Sequence, residues 1–246
     1  MADIENVRPV ELTDELKAQL GSVSTATLVS LLQRRGIRST FFNGLRPLNP
    51  AQRMVGYART LRYVPMREDL QGTLGAGVNA QRRAVEGVER DDVLVIEARS
   101  EPFAGTIGDI FTMRTKQLGG AGVITDGALR DTPAIAEIGL PIYHLASHAS
   151  TLSRMHLPLA VNVPVACAGV LVMPGDIIVG DAEGAMVIPA GLVVEIAADA
   201  VVMEDEETFA LERVAAGESS IGLFPLSKER RTDYEAWKAA RAGLRT

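Results

Sequence analysis

GTIGDIFTMRTKQLGGAGVITDGALRD, residues 105–131, decides how this chain is read. The spacing predicts a tight glycine turn over Gly105–Asp109 and a helix over Ile110–Leu118. Gly119–Gly122 ends that helix, and Gly122–Asp126 reads as a strand, with Arg130 and Asp131 beyond a short loop. A second helix is predicted over Thr132–Ile138, with Pro133 in its first turn. Strand and helix alternating in this way indicate an α/β fold.

The same stretch holds the strongest chemistry. A helix entered through glycine exposes unpaired N–H groups at the positive end of its dipole. The backbone of Gly108, Asp109, Ile110 and Phe111 can therefore hold a carboxylate or phosphate without a cationic side chain. An arginine such as Arg130 can grip a carboxylate or enolate oxygen, and an aspartate such as Asp131 can hold a hard divalent cation. If the two loops meet at one sheet end, they form an anion site with a metal beside it. On spacing alone the glycines read equally well as a plain turn, and Arg130–Asp131 as a surface pair. The stretch lacks the GK[ST] ending of a Walker loop and the GxGxxG of a dinucleotide site. With no glycine-rich nucleotide loop after an early strand, a methyltransferase is rejected.

Working outward, Thr13-Asp14-Glu15 starts a helix carrying Leu12, Leu16 and Leu20 at helical spacing. Ser24 or Thr25 caps a second helix over Ala26–Arg35, stopped by Gly36. Met54–Val64 is expected to alternate as a strand, residues 77–90 to form a polar helix exposing Arg82 and Arg83, and Asp92–Ala98 to be a buried strand. Short strands are expected over 141–147 and 159–173. Asp176–Val179 and Ala185–Ile188 flank GDAEG as a hairpin. Val193–Ala216 reads as one long helix, and the charged tail holds the only tryptophan, Trp237.

Among weaker candidates, His144 and His148 have the spacing of helical metal ligands, but PIYH before them is strand-like, which favours structural roles. Cys167 lies in apolar VACAGV and reads as a buried hydrophobe. Asp176, Asp181 and Glu183 read as turn chemistry. Arg59, Arg62 and Arg67 read as a solvated strand face, and Glu204–Glu207 as a solvated helix face.

Of 246 residues, 47% are hydrophobic and 23% charged, which excludes a disordered chain. The net charge of −6 supplies no field to attract nucleic acid or anionic lipid. No run approaches the ~18 apolar residues of a membrane span. One cysteine and an acidic start without an apolar core point to the cytoplasm.

GDIFTMRTKQLGGAGVITDGALRD resembles the signature of the RraA-like family. That family includes metal-dependent 4-hydroxy-4-methyl-2-oxoglutarate/4-carboxy-4-hydroxy-2-oxoadipate aldolases and the regulator of ribonuclease E activity. PGDIIVGDAEGAMVIP (174–189) resembles its second recurring block, and Thr25–Gly36 and Pro47–Tyr63 fit its N-terminal portion. The resemblance implies an α/β βαβ sandwich of the swivelling, phosphohistidine-domain-like type. Residues 21–216 would be the catalytic domain, with helical extensions at 1–20 and 217–246. It further implies that the amides of Gly108, Asp109, Ile110 and Phe111 bind the carboxylate of a pyruvate-like 2-oxo acid. Arg130 would bind its carbonyl or enolate oxygen, and Asp131 would hold Mg2+ or Mn2+. Sites would lie between subunits of a homotrimer or homohexamer. An acidic position of the family's N-terminal helix corresponds to Ser30 here, and a second acidic group would come from Glu204, Glu206 or Glu207.

The expected function is a divalent-metal-dependent lyase acting on a pyruvyl 2-oxo acid, by retro-aldol cleavage or oxaloacetate decarboxylation. Dehydration of a sugar acid at the same site is a variant. The rival is a non-catalytic regulator that binds a ribonuclease.

Overall fold

Val93, Leu94, Val95 and Ile96 are all fully buried, which makes β3 (Asp92–Glu97) an apolar run without alternation. A computed structural model of the chain describes residues 7–243. Residues 1–6 and 244–246 of the two expected extensions lie outside them. Helices cover one face of β3 and a hairpin the other. Leu94 and Ile96 join the cluster of α3 (Ala80–Glu86) and α5 (Thr132–Ile138). Val93 and Val95 instead meet β8 (Val165–Cys167) and β9 (Val170–Val172).

Around β3, nine strands of the described residues form one sheet. Its main path runs β1 (Arg46–Pro47), β6 (Ile142–Ser147), β5 (Gly122–Leu129), β3, β2 (Met54–Pro65), β10 (Ile177–Gly180) and β11 (Ala185–Ile188). In addition, β4 (Gly105–Ile107) pairs with β5 and β7 (His156–Val161) with β2. The pairs β2–β3, β3–β5, β4–β5 and β5–β6 are parallel. The predicted hairpin about GDAEG is present, with Gly180 opposite Ala185. Two N-terminal helices, α1 (Asp14–Ser22) and α2 (Thr25–Arg34), pack with α6 (Val193–Ala215) over β10 and β11. Ser24, not Thr25, is the cap of α2, accepting from the Thr27 N–H. Beyond α6, α7 (Arg231–Gly243) docks Tyr234 and Trp237 on Phe209. No helix among the described residues is long and apolar enough to cross a membrane.

Two sequence expectations are corrected. Strand β2 does not alternate, because it lies inside the sheet with both faces covered, and most of its residues are buried. Arg59 is not solvated. It is 6% exposed, and its Nε donates to the Ala84 carbonyl at 2.7 Å, where α3 ends over the strand. As PIYH suggested, His144 is in the strand β6 and His148 follows it, so the two do not share a helix. Asp181 and Asp176 do serve turns and caps. Asp181 accepts from Thr25 and Glu183, and Asp176 from Met173 and Ala190. Cys167 is fully buried.

Candidate active site

The glycine turn predicted over Gly105–Asp109 is instead the strand β4 followed by the start of α4 (Asp109–Gln117). Gly105 is needed for close approach: a Cβ there would sit 2.5 Å from the Arg130 Cβ and 3.1 Å from the Arg130 N. Register places Gly105 opposite Ala128 and Ile107 opposite Leu129, with an irregularity between. The Thr106 carbonyl accepts from Gln81 Nε2 at 2.6 Å and from Tyr63 Oη at 2.9 Å. A floor of buried groups thereby ties β2, α3 and β4 together.

Because β4 and β5 are parallel neighbours, the chain leaves both at one sheet end. The Arg130 N–H donates to the Ile107 carbonyl at 3.0 Å. Arg130 and Asp131 thus follow β5 directly, not through a loop. Gly108 caps α4 with no side-chain hydrogen bond, and a Cβ on it would lie 3.2 Å from Asp131 Oδ2. Asp131 begins α5 in the left-handed region, at φ 61° and ψ 35°, and its carboxylate caps nothing. Arg130 Nε lies 3.7 Å from Asp131 Oδ2, both side chains being partly exposed.

These residues border a cavity of about 310 Å³. Gly108, Asp109, Ile110, Phe111, Arg130 and Asp131, all singled out in the sequence, line it together. Asp109 Oδ1 accepts from the Ile110 N–H at 2.8 Å, so one of the first-turn amides already faces a carboxylate. Gln81 and Arg82 of α3, with Thr151 and Leu152, complete the lining and were not assigned to the site from sequence. The one legible hint was Asn79, a good cap, whose Oδ1 accepts from the Arg82 N–H and starts α3 there. Among the described residues no lysine lines the cavity; Lys116 Nζ instead donates to the Ile138 carbonyl.

Behind this floor, the His156 ring packs tilted by 38° against Tyr63, with ring centroids 5.5 Å apart. Burial, helped by the Arg99 charge, pushes the His156 imidazole down to about 4. Burial also keeps the Tyr63 phenol protonated. The acidic run of α6 is spent largely within the chain. Glu204 Oε1 accepts from the Ser24 N–H at 2.7 Å and the Thr27 hydroxyl at 2.8 Å, and Glu206 pairs with Arg231. Burial raises the Glu204 carboxyl, but those hydrogen bonds outweigh it and hold the group below the usual range. Glu207 beside it is held high, by burial and by the Glu204 charge.

Residues 21–187 match the RraA-like family, described as Aldolase/RraA. A protein of Halalkalibacterium halodurans provisionally named a 4-hydroxy-4-methyl-2-oxoglutarate aldolase is 34% identical over 148 residues. That match spans 60% of this chain and 65% of the relative, under two thirds of its length. The crystal structure of Streptomyces coelicolor RraAS2, an unusual member of the RNase ES inhibitor RraA protein family, superposes with a TM-score of 0.75 at 36% identity. It covers 83% of this chain and 98% of that one. An uncharacterized protein of Pseudomonas syringae has the same fold, with a TM-score of 0.73 at 23% identity over 87% of this chain and 98% of its own. The matched residues include every segment that lines the cavity, and the chain belongs to the RraA-like family.

Proposed function

We propose that the chain is a lyase for pyruvyl-containing 2-oxo acids, cleaving an aldol bond or decarboxylating oxaloacetate with Mg2+ or Mn2+ at Asp131. One observation carries the reading: the first turn of α4, the Arg130 guanidinium and the uncapped Asp131 carboxylate border one cavity. The first-turn N–H groups suit a 2-oxo acid's carboxylate. For the Ile110 N–H to take part, the Asp109 carboxylate must swing off it. Arg130 suits the carbonyl oxygen on which charge builds as the carbon–carbon bond breaks.

The donor set fits a hydrated hard cation. Among the described residues no three His, Cys, Asp or Glu side chains gather as a metal cage, which argues against a zinc-type site. Mg2+ and Mn2+ need only one or two carboxylates beside water, and Asp131, with Asp109 lining the same cavity, offers that. Held there, such a cation would supply Lewis acidity to the carbonyl oxygen. Among the described residues no lysine lines the cavity to form a Schiff base, so the reading is of the metal-assisted kind. Assembly into a trimer or hexamer with shared sites is part of the proposal. Its support is the exposed apolar pair Ile110, 77% exposed, and Met113, which border one hollow between α4 and α5 next to the cavity.

The test is pyruvate release from oxaloacetate and from 4-hydroxy-4-methyl-2-oxoglutarate, with Mg2+, Mn2+ or EDTA. Metal-dependent pyruvate is expected, and none from either substrate with folded protein and metal would overturn the proposal. Arg130→Ala should lower kcat about 10²- to 10³-fold. A rise in KM alone would make Arg130 a binding residue only. The likeness to RraAS2 over 98% of its length favours one second reading, a regulator that binds a ribonuclease. Capture of a ribonuclease without any pyruvate release would establish that instead.

A further inference from the structure

We propose that Arg82 sets the specificity of this cavity, taking the remote carboxylate of a dicarboxylic 2-oxo acid whose reacting end lies at α4 and Arg130. The inference rests on the reading of the cavity as a 2-oxo acid site.

Arg82 lines the same cavity as Arg130 but comes from a different element. Its place is fixed from three sides. Asn79 Oδ1 accepts from the Arg82 N–H at 3.0 Å and starts α3 there. Gln81, 4% exposed, is bonded to the Thr106 carbonyl at 2.6 Å. The end of α3 is held by Arg59 through the Ala84 carbonyl at 2.7 Å. The backbone that carries Arg82 is therefore tied to β4, the strand that Arg130 packs against.

The guanidinium itself is uncommitted to any acid. Its carbon lies 5.6 Å from the centre of the Phe111 ring, and among the described residues no carboxylate lies within 4 Å of it. Arg83 next to it is used differently, donating to the Val78 carbonyl at 2.9 Å. Arg130, by contrast, already has Asp131 at 3.7 Å. A guanidinium resting on an aromatic face keeps its N–H edge free, and that edge matches a carboxylate in a forked pair. Of the two arginines that line the cavity, Arg82 is the one with no acid beside it among the described residues. The cavity of about 310 Å³ is at the lower end of ordinary ligand sites and exceeds what a three-carbon pyruvyl unit fills. Arg82 on α3 and Arg130 after β5 border that space from different elements.

Two five-carbon probes separate the remote charge from everything else: 2-oxoglutarate carries a second carboxylate and 2-oxopentanoate does not. Their binding to the full chain is measured by titration calorimetry, with and without Mg2+, on wild type, Arg82→Gln and Arg82→Lys. The wild type should prefer 2-oxoglutarate by about ten- to a hundredfold. Arg82→Gln should bring that ratio close to one by weakening 2-oxoglutarate while leaving 2-oxopentanoate within twofold. Arg82→Lys should keep part of the preference through its charge. An unchanged ratio in Arg82→Gln, or equal binding of both probes by wild type, overturns the role of Arg82 and leaves the 2-oxo acid reading standing. Failure of folded wild type to bind either probe overturns both.

Discussion

Replacing Asp131 separates the backbone's demands from those of the site. Its φ of 61° is in the left-handed region, which aspartate and asparagine tolerate and alanine resists by about 1–2 kcal/mol. The carboxylate returns little stability, since it caps nothing and its contact to Arg130 at 3.7 Å is an exposed pair worth at most about 1 kcal/mol. Asp131→Asn should therefore fold with stability close to wild type. Asp131→Ala should lose about 1 kcal/mol or more, and Asp131→Gly should sit at or above Asp131→Ala because glycine adopts the angle freely. For a domain of this size a loss of 1 kcal/mol lowers Tm by roughly 2–4 °C. All three variants should lose metal-dependent pyruvate release. Thermal melts and pyruvate release with a Mn2+ titration read the two effects separately. An Asp131→Ala protein as stable as Asp131→Asn would refute the backbone argument. Metal-dependent turnover surviving in Asp131→Asn would remove the carboxylate from the site.

Three other perturbations follow from the same contacts. Gly105→Ala puts a methyl 2.5 Å from the Arg130 Cβ and against its backbone, so β4 must move off β5; a loss of roughly 1–3 kcal/mol in urea melts is expected, together with reduced turnover. His156 is held neutral to about pH 4 when folded but titrates near 6.5 when unfolded, so the unfolded chain binds the extra proton between those values. Stability should fall as pH drops from 6.5 towards 4, by up to about 3 kcal/mol from this group, and His156→Gln should flatten that part of the curve. Glu204→Ala removes the acceptor for the Ser24 N–H and the Thr27 hydroxyl and should cost about 1–2 kcal/mol of stability; an unchanged melt would show that water replaces it at the start of α2.

What the sequence told of the fold came from runs with a physical reason to be read. The Val93–Ile96 and Gly122–Ile124 runs are continuous because β3 and β5 are covered on both faces, and the hairpin about GDAEG follows from turn residues between two apolar runs. The readings that failed depend on distant partners. Arg59 looks solvated until α3 supplies carbonyls above it, and Gly105 looks like a turn although its missing side chain makes room for Arg130. Gly127 works in the same way inside β5, where a Cβ would lie 2.5 Å from Thr106 Cγ2, so the strand runs on past Asp126 to Leu129. Asp126 ends up buried, with the Ala98 and Ser100 N–H groups on its carboxylate.

For the site, both motifs were legible because each stands where a strand gives way to a helix. Arg82 was not assigned to it, since only packing brings α3 over β4. The step that joins the motifs is register. With Ile107 opposite Leu129, Gly108 and Arg130 are the next residues off two parallel strands, and the Arg130 N–H still reaches the Ile107 carbonyl. A slip of one residue would turn the Arg130 side chain to the other face of the sheet and carry Asp131 away from Gly108. Gly105, which admits Arg130 at this register and no bulkier pairing, is thus as much a determinant of the site as the two charged residues it brings to the cavity.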